Sequence, residues 1–209
     1  MKKLLLLPVL LALVLAPLGA QAPPPGLNYH ILVANDDGVR APGIAAIAQA
    51  LQSFGRVHIV APAENQSGKG HSIITTEPVF REELTLPNGM RAIGLTATPA
   101  TTVNIAIRNI LTNPRPDLVV SGINRGYNLG YSGYLSGTVG AAREGAMHGI
   151  PAIAASLQEG ATATDLVYAA EEVWGIVRRL KQRQLEGTYP ANTFLNVNIP
   201  RVPQGGYKG

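Results

Sequence analysis

The sequence contains no cysteine, which excludes a disulfide framework, a zinc–thiolate site and a thiol nucleophile. Aromatic residues make up only 5% of the chain, too few for a platform that stacks the bases of single-stranded nucleic acid. Charged residues make up 14% and hydrophobic residues 46%, a balance that excludes an intrinsically disordered chain. The length of 209 residues favours one domain with room for a small subdomain.

The N-terminus has the pattern of a secretory signal peptide over residues 1–22. Two lysines precede an apolar run from Leu4 to Leu18, and Ala20-Gln21-Ala22 matches an A-x-A cleavage site. The run is short and contains two prolines, which disfavours a membrane span, although an uncleaved anchor is the alternative. We therefore predict export to the periplasm or the medium, and no membrane association after cleavage.

Three segments follow from this interpretation: a signal peptide over 1–22, a proline-rich linker over 23–28 and one domain over 29–209. The formal net charge of the whole chain is +4, but cleavage would remove two lysines and no acid. The mature protein would then be only weakly basic. This disfavours a dedicated nucleic-acid binder, which needs a concentrated basic face.

Short apolar runs alternate with segments of helical spacing along the domain. The predicted strands are His30–Ala34, Val57–Val60, Asp117–Val120, Pro151–Ser156 and Phe194–Ile199. The predicted helices are Pro42–Phe54, Pro99–Leu111, Thr138–His148 and Thr164–Gln184. Residues 71–95 predict β-hairpin material around the turn residues 87–89. The order predicts an α/β fold, with a mostly parallel sheet, helices on both faces and a small β-hairpin excursion.

Polar residues follow the predicted strands where each strand ends. Asp36 and Asp37 follow the first strand, Ser67 lies beyond the second, and Asn124 follows the strand at 117–120. Ligands bind beyond the carboxyl ends of parallel strands, so these side chains are expected to converge. Paired carboxylates repel each other, and Mg²⁺ or Mn²⁺ would neutralise them while taking oxygen ligands. The alternative is that the acids are a helix cap and a loop residue, and that Ser67 and Asn124 are turn formers.

The segment Ser136-Gly137-Thr138 opens a helix whose first turns contain small residues. A helix N-terminus with free N–H groups and nearby hydroxyls is suited to bind phosphate. The alternative is a Ser/Thr cap with close packing of the helix on the sheet.

Several catalytic motifs are absent from the sequence. There is no phosphate loop of the G-x-x-x-x-G-K-[ST] type, no G-x-G-x-x-G after the first strand, no G-x-S-x-G and no H-E-x-x-H. His30 and His58 lie in predicted strands, which favours structural roles, whereas His71 lies close to Ser67 and could contact a substrate.

Four segments together resemble the SurE family of acid phosphatases, which act as 5′/3′-nucleotidases on nucleoside monophosphates. They are ILVANDDGVRAPGI at 31–44, APAENQSG at 61–68, PDLVVSGINRGYNLG at 116–130 and SGTVGAA at 136–142. The resemblance extends from about Tyr29 to Pro200 and implies a Rossmann-like core with one divalent metal ion, Mg²⁺ or Mn²⁺.

The resemblance also implies the roles of individual residues. Asp36, Asp37, Ser67 and Asn124 match the metal-binding residues of the family. Asn124 and the SGTV segment, here Ser136, Gly137 and Thr138, match its phosphate site.

The sequence departs from the family pattern in several places. Thr101 replaces the usual acid of a G-T-P-A-D-C segment, and residues 132–135 read SGYL where D-V-x-Y is usual. Family members continue for several dozen residues beyond the LNVNIP segment, in a part that helps build dimers and tetramers. We expect this chain to lack that extension, which weakens the expectation of a homodimer. The family is mostly cytoplasmic, so the predicted export is an unusual feature.

The predicted function is metal-dependent hydrolysis of nucleoside monophosphates to nucleoside and phosphate, a 5′-nucleotidase activity that extends to 3′-nucleotides. Asp36 or Asp37 is expected to accept a proton from the attacking water. One alternative is an exported binding protein for a phosphorylated or anionic solute. A second alternative is covalent phosphoryl transfer through Asp36, which is disfavoured because Gly38 stands where that chemistry usually has a second acid.

Overall fold

A computed structural model of the chain describes residues 28–203. The predicted signal peptide over 1–22 lies outside the described residues, as does the predicted linker except for its last residue. Within the described range, no helix combines the length and the apolar composition that a membrane span requires.

The described residues form one seven-stranded sheet with helices on both of its faces. The strands are β1 (His30–Ala34), β2 (Arg56–Pro62), β3 (Arg81–Thr85), β4 (Arg91–Leu95), β5 (Leu118–Arg125), β6 (Ala152–Leu157) and β7 (Phe194–Ile199). The helices are α1 (Pro42–Leu51), α2 (Pro99–Ile105), α3 (Ser132–Leu135), α4 (Gly137–Met147) and α5 (Ala163–Leu185).

The strand order is β3-β4-β2-β1-β5-β6-β7, and every neighbouring pair except β3–β4 is parallel. The predicted α/β class is therefore confirmed. The predicted hairpin is present as β3 and β4, but it extends the edge of the main sheet because β4 pairs in parallel with β2. The apolar runs at 71–76 and 78–80, which the sequence also suggested as hairpin material, form no strand.

Alternating side chains of the central strands point into two separate layers of core. On one face Ile31 and Val33 of β1 pack with α1 and α5. On the other face Leu32 and Ala34 pack with α2 and α4. Because both faces are covered, all five residues of β1 are buried, which explains why this strand reads as a continuous apolar run.

Local signals set the starts of the longer helices. Pro42 occupies the first turn of α1, where its missing N–H leaves no helical hydrogen bond unmade. Thr162 and Asp165 form a reciprocal capping box at the start of α5. In consequence, the predicted helix starts lie within one residue of the observed starts for these two helices.

Two predicted boundaries differ in a way that matters for the site. The strand predicted to end at Val120 continues through the SGIN segment to Arg125, so Asn124 lies within β5 and not in a loop after it. The helix predicted over 99–111 is α-helical only to Ile105 and continues as a π-helical turn over Ala106–Ile110.

Candidate functional site

The end of β1 delivers two carboxylates to the carboxyl edge of the sheet. Asp36 is almost completely buried, whereas Asp37 is half-buried. The preceding residue, Asn35, holds the turn in place by donating its side-chain N–H to the Gly38 carbonyl at 2.8 Å. The turn needs Gly38 because its φ is 102°.

Asp36 is held by the first turn of α4. The Thr138 hydroxyl donates to Asp36 Oδ1 at 2.6 Å, and the backbone N–H groups of Gly137 and Thr138 also donate to this carboxylate. Burial nevertheless raises the pKa of Asp36 above its usual value, and the hydrogen bonds only offset part of that effect. A carboxylate in this position favours any partner that brings positive charge.

Gly137 lets the helix approach Asp36 this closely. A Cβ atom at position 137 would lie 2.7 Å from Asp36 Cβ and 2.9 Å from Pro99 Cγ. Glycine is therefore required here by contact distance.

Asp37 has weaker hydrogen bonding than Asp36. Its Oδ2 accepts from the Arg125 backbone N–H at 3.4 Å, at the limit of a hydrogen bond. Burial first, and then the charge of Asp36, raise the pKa of Asp37, while the N–H group and the charge of Arg125 act in the opposite direction. The two carboxylates thus share an electrostatic cost that a cation between them would relieve.

Asn124 enters the site through an irregularity in β5. The register of β5 with β6 shifts between Ser121 and Asn124, a local change of pairing of the kind that re-aims side chains near active sites. The Asn124 side-chain N–H donates to the Gly126 carbonyl at 2.8 Å, which leaves the amide oxygen as the atom available to a ligand. Asp37 and Asn124 line the same cavity.

Ser67 lies on the loop after β2, and its position is less constrained. Its neighbour Gln66 donates a backbone N–H to the Asp36 carbonyl at 2.7 Å, which ties the loop to the end of β1. Ser67 itself is exposed, and its N–H bonds to the Asn65 side chain at 2.8 Å. The structure thus brings Asp36, Asp37 and Asn124 together and places Ser67 on a loop anchored beside them.

The donor atoms at this edge fit a hard divalent cation. They are two carboxylates, an amide oxygen and a hydroxyl, the oxygen ligands that Mg²⁺ and Mn²⁺ take. Among residues 28–203 no group of three or more His, Asp and Glu side chains is arranged to hold a metal ion, so a cation here would need the amide and hydroxyl oxygens as well as the two carboxylates. Beside the pair, the Asn35 side-chain oxygen is buried and has no hydrogen-bond partner within the described structure. This edge therefore has one unsatisfied buried oxygen atom as well as excess negative charge.

The start of α4 forms the cap that the sequence analysis gave as one of two interpretations. The Ser136 hydroxyl caps the helix by accepting from the Val139 N–H at 3.1 Å. Thr138 is fully buried, and its hydroxyl is engaged by Asp36. The Thr138 side chain therefore orients Asp36, and the cap interpretation has direct support from Ser136. Phosphate binding by Ser136, Gly137 and Thr138 stays a prediction.

His71 does not point to the site as its position in the sequence suggested. Its Nε2 lies 2.7 Å from Glu144 Oε2, and Glu144 is buried. The same carboxylate accepts from Asn104 at 2.6 Å and lies 3.1 Å from His148 Nε2. The structure assigns His71 to this polar cluster, which fastens the loop after β2 to α4.

The two histidines in strands are structural, as predicted. His30 Nδ1 and His58 Nε2 lie 3.0 Å apart, and the rings stack with a centroid distance of 5.3 Å. The pair lies at the amino end of β1, whereas Asp36 follows the carboxyl end of the same strand.

Thr101, which replaces the acid usual in the resembled family, has a structural contact. Its hydroxyl oxygen accepts from the Ile74 N–H at 2.9 Å and lies 2.7 Å from the Thr98 hydroxyl. It therefore joins the start of α2 to the loop after β2.

Comparison with known proteins yields one consistent set of relatives. The family model described as "Survival protein SurE" matches residues 31–209. The chain is 42% identical over 174 residues to the 5′-nucleotidase SurE of Geotalea daltonii, covering 83% of this chain and 66% of that protein. It is 42% identical over 183 residues to the 5′-nucleotidase SurE of Carboxydothermus hydrogenoformans, covering 86% and 68%.

A solved structure agrees with these relatives. The SurE protein from Aquifex aeolicus superposes with a TM-score of 0.71 at 41% identity, covering 83% of this chain and 66% of that one. The chain thus spans about two thirds of the length of the proteins it matches.

These relatives overturn the predicted export. They are 5′-nucleotidases of the SurE family, whose members are mostly cytoplasmic. The lysines, the apolar run and the A-x-A pattern that led to that prediction all lie outside the described residues.

Proposed function

The chain belongs to the SurE family, and from that premise we propose that it is a metal-dependent 5′-nucleotidase that also accepts 3′-nucleotides. The substrates are nucleoside monophosphates, and the products are a nucleoside and phosphate. The observation that supports this most directly is the Asp36–Asp37 pair at the end of β1, where both carboxyl groups have raised pKa values.

The residues proposed to hold the cation are Asp36, Asp37, Ser67 and Asn124. When bound, Mg²⁺ or Mn²⁺ supplies positive charge to the phosphoryl oxygens and lowers the pKa of a coordinated water. The side chains of the protein orient the metal-binding carboxylates and the substrate.

Asp36 acts as the fixed ligand in this proposal. It is 3% exposed, and its carboxylate already accepts hydrogen bonds from the start of α4, so its geometry is set before any ligand arrives. Burial and these bonds also disfavour Asp36 as a nucleophile, which argues against covalent phosphoryl transfer through it.

Asp37 is the better candidate for the proton acceptor. It is half-buried and accepts only a long hydrogen bond from the Arg125 backbone. This leaves Asp37 with more free acceptor capacity than Asp36, whose carboxylate accepts from Thr138 and from the start of α4.

The phosphate is proposed to bind between the cation and the start of α4. Asn124, Ser136, Gly137 and Thr138 are assigned to this contact, since Asn124 lines a cavity with Asp37 and the start of α4 lies against Asp36. The Thr138 hydroxyl also orients Asp36.

The test is phosphate release from adenosine 5′-monophosphate and adenosine 3′-monophosphate by the purified chain, with and without a chelator. Chelation should abolish release, and Mg²⁺ or Mn²⁺ added in excess should restore it. Full activity in excess chelator would remove the cation from the proposal. Tight nucleotide binding without release, with metal present, would favour the solute-binding alternative.

A further inference from the structure

The loop after β2 carries Ser67 at an exposed tip between two fixed ends. Residues 67–69 are exposed, whereas Gln66 is half-buried and Gly70 is buried. Gly68 and Gly70 have positive φ values of 76° and 56°, and a Cβ at Gly68 would meet no atom within 4 Å. Because the tip is exposed and open, the position of Ser67 depends on what holds the loop on either side of it.

The first end of the loop is held at the carboxylate pair, where the Gln66 N–H bonds to the Asp36 carbonyl. The second end lies against α4. The Gly70 N–H donates to the Leu135 carbonyl at 2.8 Å, directly before that helix. A Cβ at Gly140 would lie 2.1 Å from the Gly70 carbonyl oxygen, so the loop and the helix are in direct backbone contact.

His71 adds a side-chain bond to this second end, since its Nε2 lies 2.7 Å from Glu144 Oε2. Among the described contacts of residues 63–74, His71 supplies the only side-chain hydrogen bond to another part of the chain. Burial acts to raise the pKa of Glu144, but hydrogen bonds and charges from Asn104, His71 and His148 outweigh it and lower that pKa. Glu144 is therefore ionised at neutral pH and can only accept, so His71 Nε2 carries the hydrogen. Such a bond to a carboxylate is of the stronger, charge-assisted kind.

The helix that holds His71 also orients Asp36. Thr138 in the first turn of α4 donates to Asp36, and Glu144 follows in the same helix. One rigid element thus contacts both the end of β1 and the loop that carries Ser67. We propose that the His71–Glu144 pair positions Ser67 as a ligand of the cation, an inference that rests on the metal site of the proposed function. His71 contacts neither the cation nor the substrate and acts through the loop.

His148 offers a matched control because it shares the same acceptor. Its Nε2 lies 3.1 Å from Glu144 Oε1, and 12% of its side chain is exposed, against 20% for His71. It is the C-cap residue of α4 and does not belong to the loop. Loss of either imidazole removes one partner of Glu144, but only loss of His71 releases the loop.

Mn²⁺ binding to the chain without substrate, measured by titration calorimetry, tests the proposal. His71→Phe keeps a ring and removes the bond to Glu144, and its Kd for Mn²⁺ should rise about tenfold, as when a group that orients a metal ligand is lost. His71→Gln can place an N–H near the position of Nε2 and should recover most of the affinity. His148→Phe should lose a similar amount of stability in urea and keep the Mn²⁺ affinity of the wild type.

A double variant shows whether His71 acts through Ser67. Ser67→Ala alone should weaken Mn²⁺ binding at least as much as His71→Phe does. Adding His71→Phe to Ser67→Ala should cause no further loss, because no hydroxyl is left to position. Two independent effects would instead multiply. If His71→Phe does not fold, His71→Asn takes its place, since its side chain is too short to reach Glu144.

The inference would be overturned by unchanged Mn²⁺ affinity in His71→Phe or in Ser67→Ala, by losses that multiply in the double variant, or by an equal loss of affinity in His148→Phe. Phosphate release from adenosine 5′-monophosphate is measured separately on the wild type. A wild type that releases no phosphate, with Mn²⁺ affinities that follow the expected pattern, would contradict the proposed function and leave this inference standing. An active, metal-dependent wild type whose losses multiply in the double variant would contradict this inference alone.

Discussion

The Thr138 hydroxyl donates to Asp36 Oδ1 at 2.6 Å, which joins the first turn of α4 to the end of β1 across 102 positions of sequence. Thr138 is fully buried and Asp36 nearly so, so water cannot replace this bond. The relationship makes the orientation of the proposed metal ligand depend on the position of a helix.

Replacing Thr138 by valine removes that hydroxyl and keeps the side-chain shape. Metal affinity and turnover should each fall about 10- to 100-fold, the usual effect of removing a group that orients a metal ligand. Titration calorimetry with Mn²⁺ and phosphate release measure the two effects. Thr138→Ser keeps the hydroxyl and should retain most of both. Unchanged metal affinity and turnover in Thr138→Val, with losses in Thr138→Ser, would show that the methyl group, and not the hydrogen bond, is what matters.

Asp37→Asn tests the electrostatic cost of the pair. The pKa of Asp37 is raised in the folded protein above its ordinary value of 3.8, so the folded state holds the proton more tightly. The protonated carboxyl group therefore stabilises the metal-free folded protein below pH 3.8, and this stabilisation is lost as the pH rises from 3.8 through the raised pKa. The variant should melt at a higher temperature than the wild type at pH 7 in chelator, and the difference should vanish as pH falls toward 4. Added Mg²⁺ should stabilise the wild type more than the variant.

Asp165→Asn is a control for which the opposite pH dependence of stability is expected. Hydrogen bonds from Thr162 lower the pKa of Asp165, so this carboxylate stabilises the fold above its ordinary pKa and stops doing so at lower pH. The variant should melt below the wild type at pH 7 and approach it in acid. If Asp37→Asn behaves like Asp165→Asn, the pair is not strained in the metal-free protein.

Gly137→Ala tests the close approach of α4 to Asp36. The new methyl group would lie 2.7 Å from Asp36 Cβ, so the helix or the carboxylate must shift, and turnover should fall sharply. Gly175→Ala is the matched control, because Gly175 lies inside α5 and a Cβ there meets no atom within 4 Å. The control should retain activity and gain about 0.5–1 kcal/mol of stability from the better helix former. An active Gly137→Ala enzyme would show that the contact is adjustable.

Glu144→Ala tests the polar cluster that fastens the loop after β2. The side chain is 7% exposed, and its removal leaves His71, His148 and Asn104 without their shared acceptor. The free energy of unfolding should fall by about 3 kcal/mol or more, as for other broken buried pairs. Urea unfolding measures this change, and Glu82→Ala, which breaks only the exposed pair with Arg40, should leave stability close to the wild type. A loss no larger than that of Glu82→Ala would mean that the cluster does not stabilise the fold.

The pH dependence of this cluster follows from its carboxylate. Burial alone would raise the pKa of Glu144, but hydrogen bonds from Asn104 and His71 and the charges of His71 and His148 outweigh it, and the pKa is lowered. Glu144 therefore contributes stability above its ordinary pKa, and the contribution is lost as pH falls through the lowered value. The gap between the wild type and Glu144→Ala should narrow in acid.

The sheet was predictable from sequence because each central strand is a continuous apolar run, the pattern that burial on both faces requires. The edge hairpin was predictable as a hairpin from residues 87–89, but its attachment to β2 was not. That attachment depends on a pairing between distant segments, which local spacing does not encode. The end of β5 was missed for a related reason, since SGIN reads as a loop although it continues the strand.

The part of the site that could be predicted from the sequence consists of residues at or just after the carboxyl ends of strands. The convergence of Asp36, Asp37 and Asn124 follows from parallel strands sharing one edge. The contact of Thr138 with Asp36 was not foreseeable, because serine and threonine at a helix start ordinarily cap that helix. The buried cluster around Glu144 could not be predicted from the sequence, since a single acid in the middle of a helix is usually on the surface.

The order of the strands also governs when activity can arise during folding. β1 lies at the centre of the sheet and pairs on one side with β2 and on the other with β5, so that Ile31 stands beside Leu118. Such distant parallel pairings form late and slowly, because the chain loses the entropy of closing long loops before the new contacts stabilise it. No early intermediate that lacks β5 can hold Asn124 near Asp37. Recovered phosphatase activity after dilution from denaturant would therefore report the completed sheet, and not the formation of its helices.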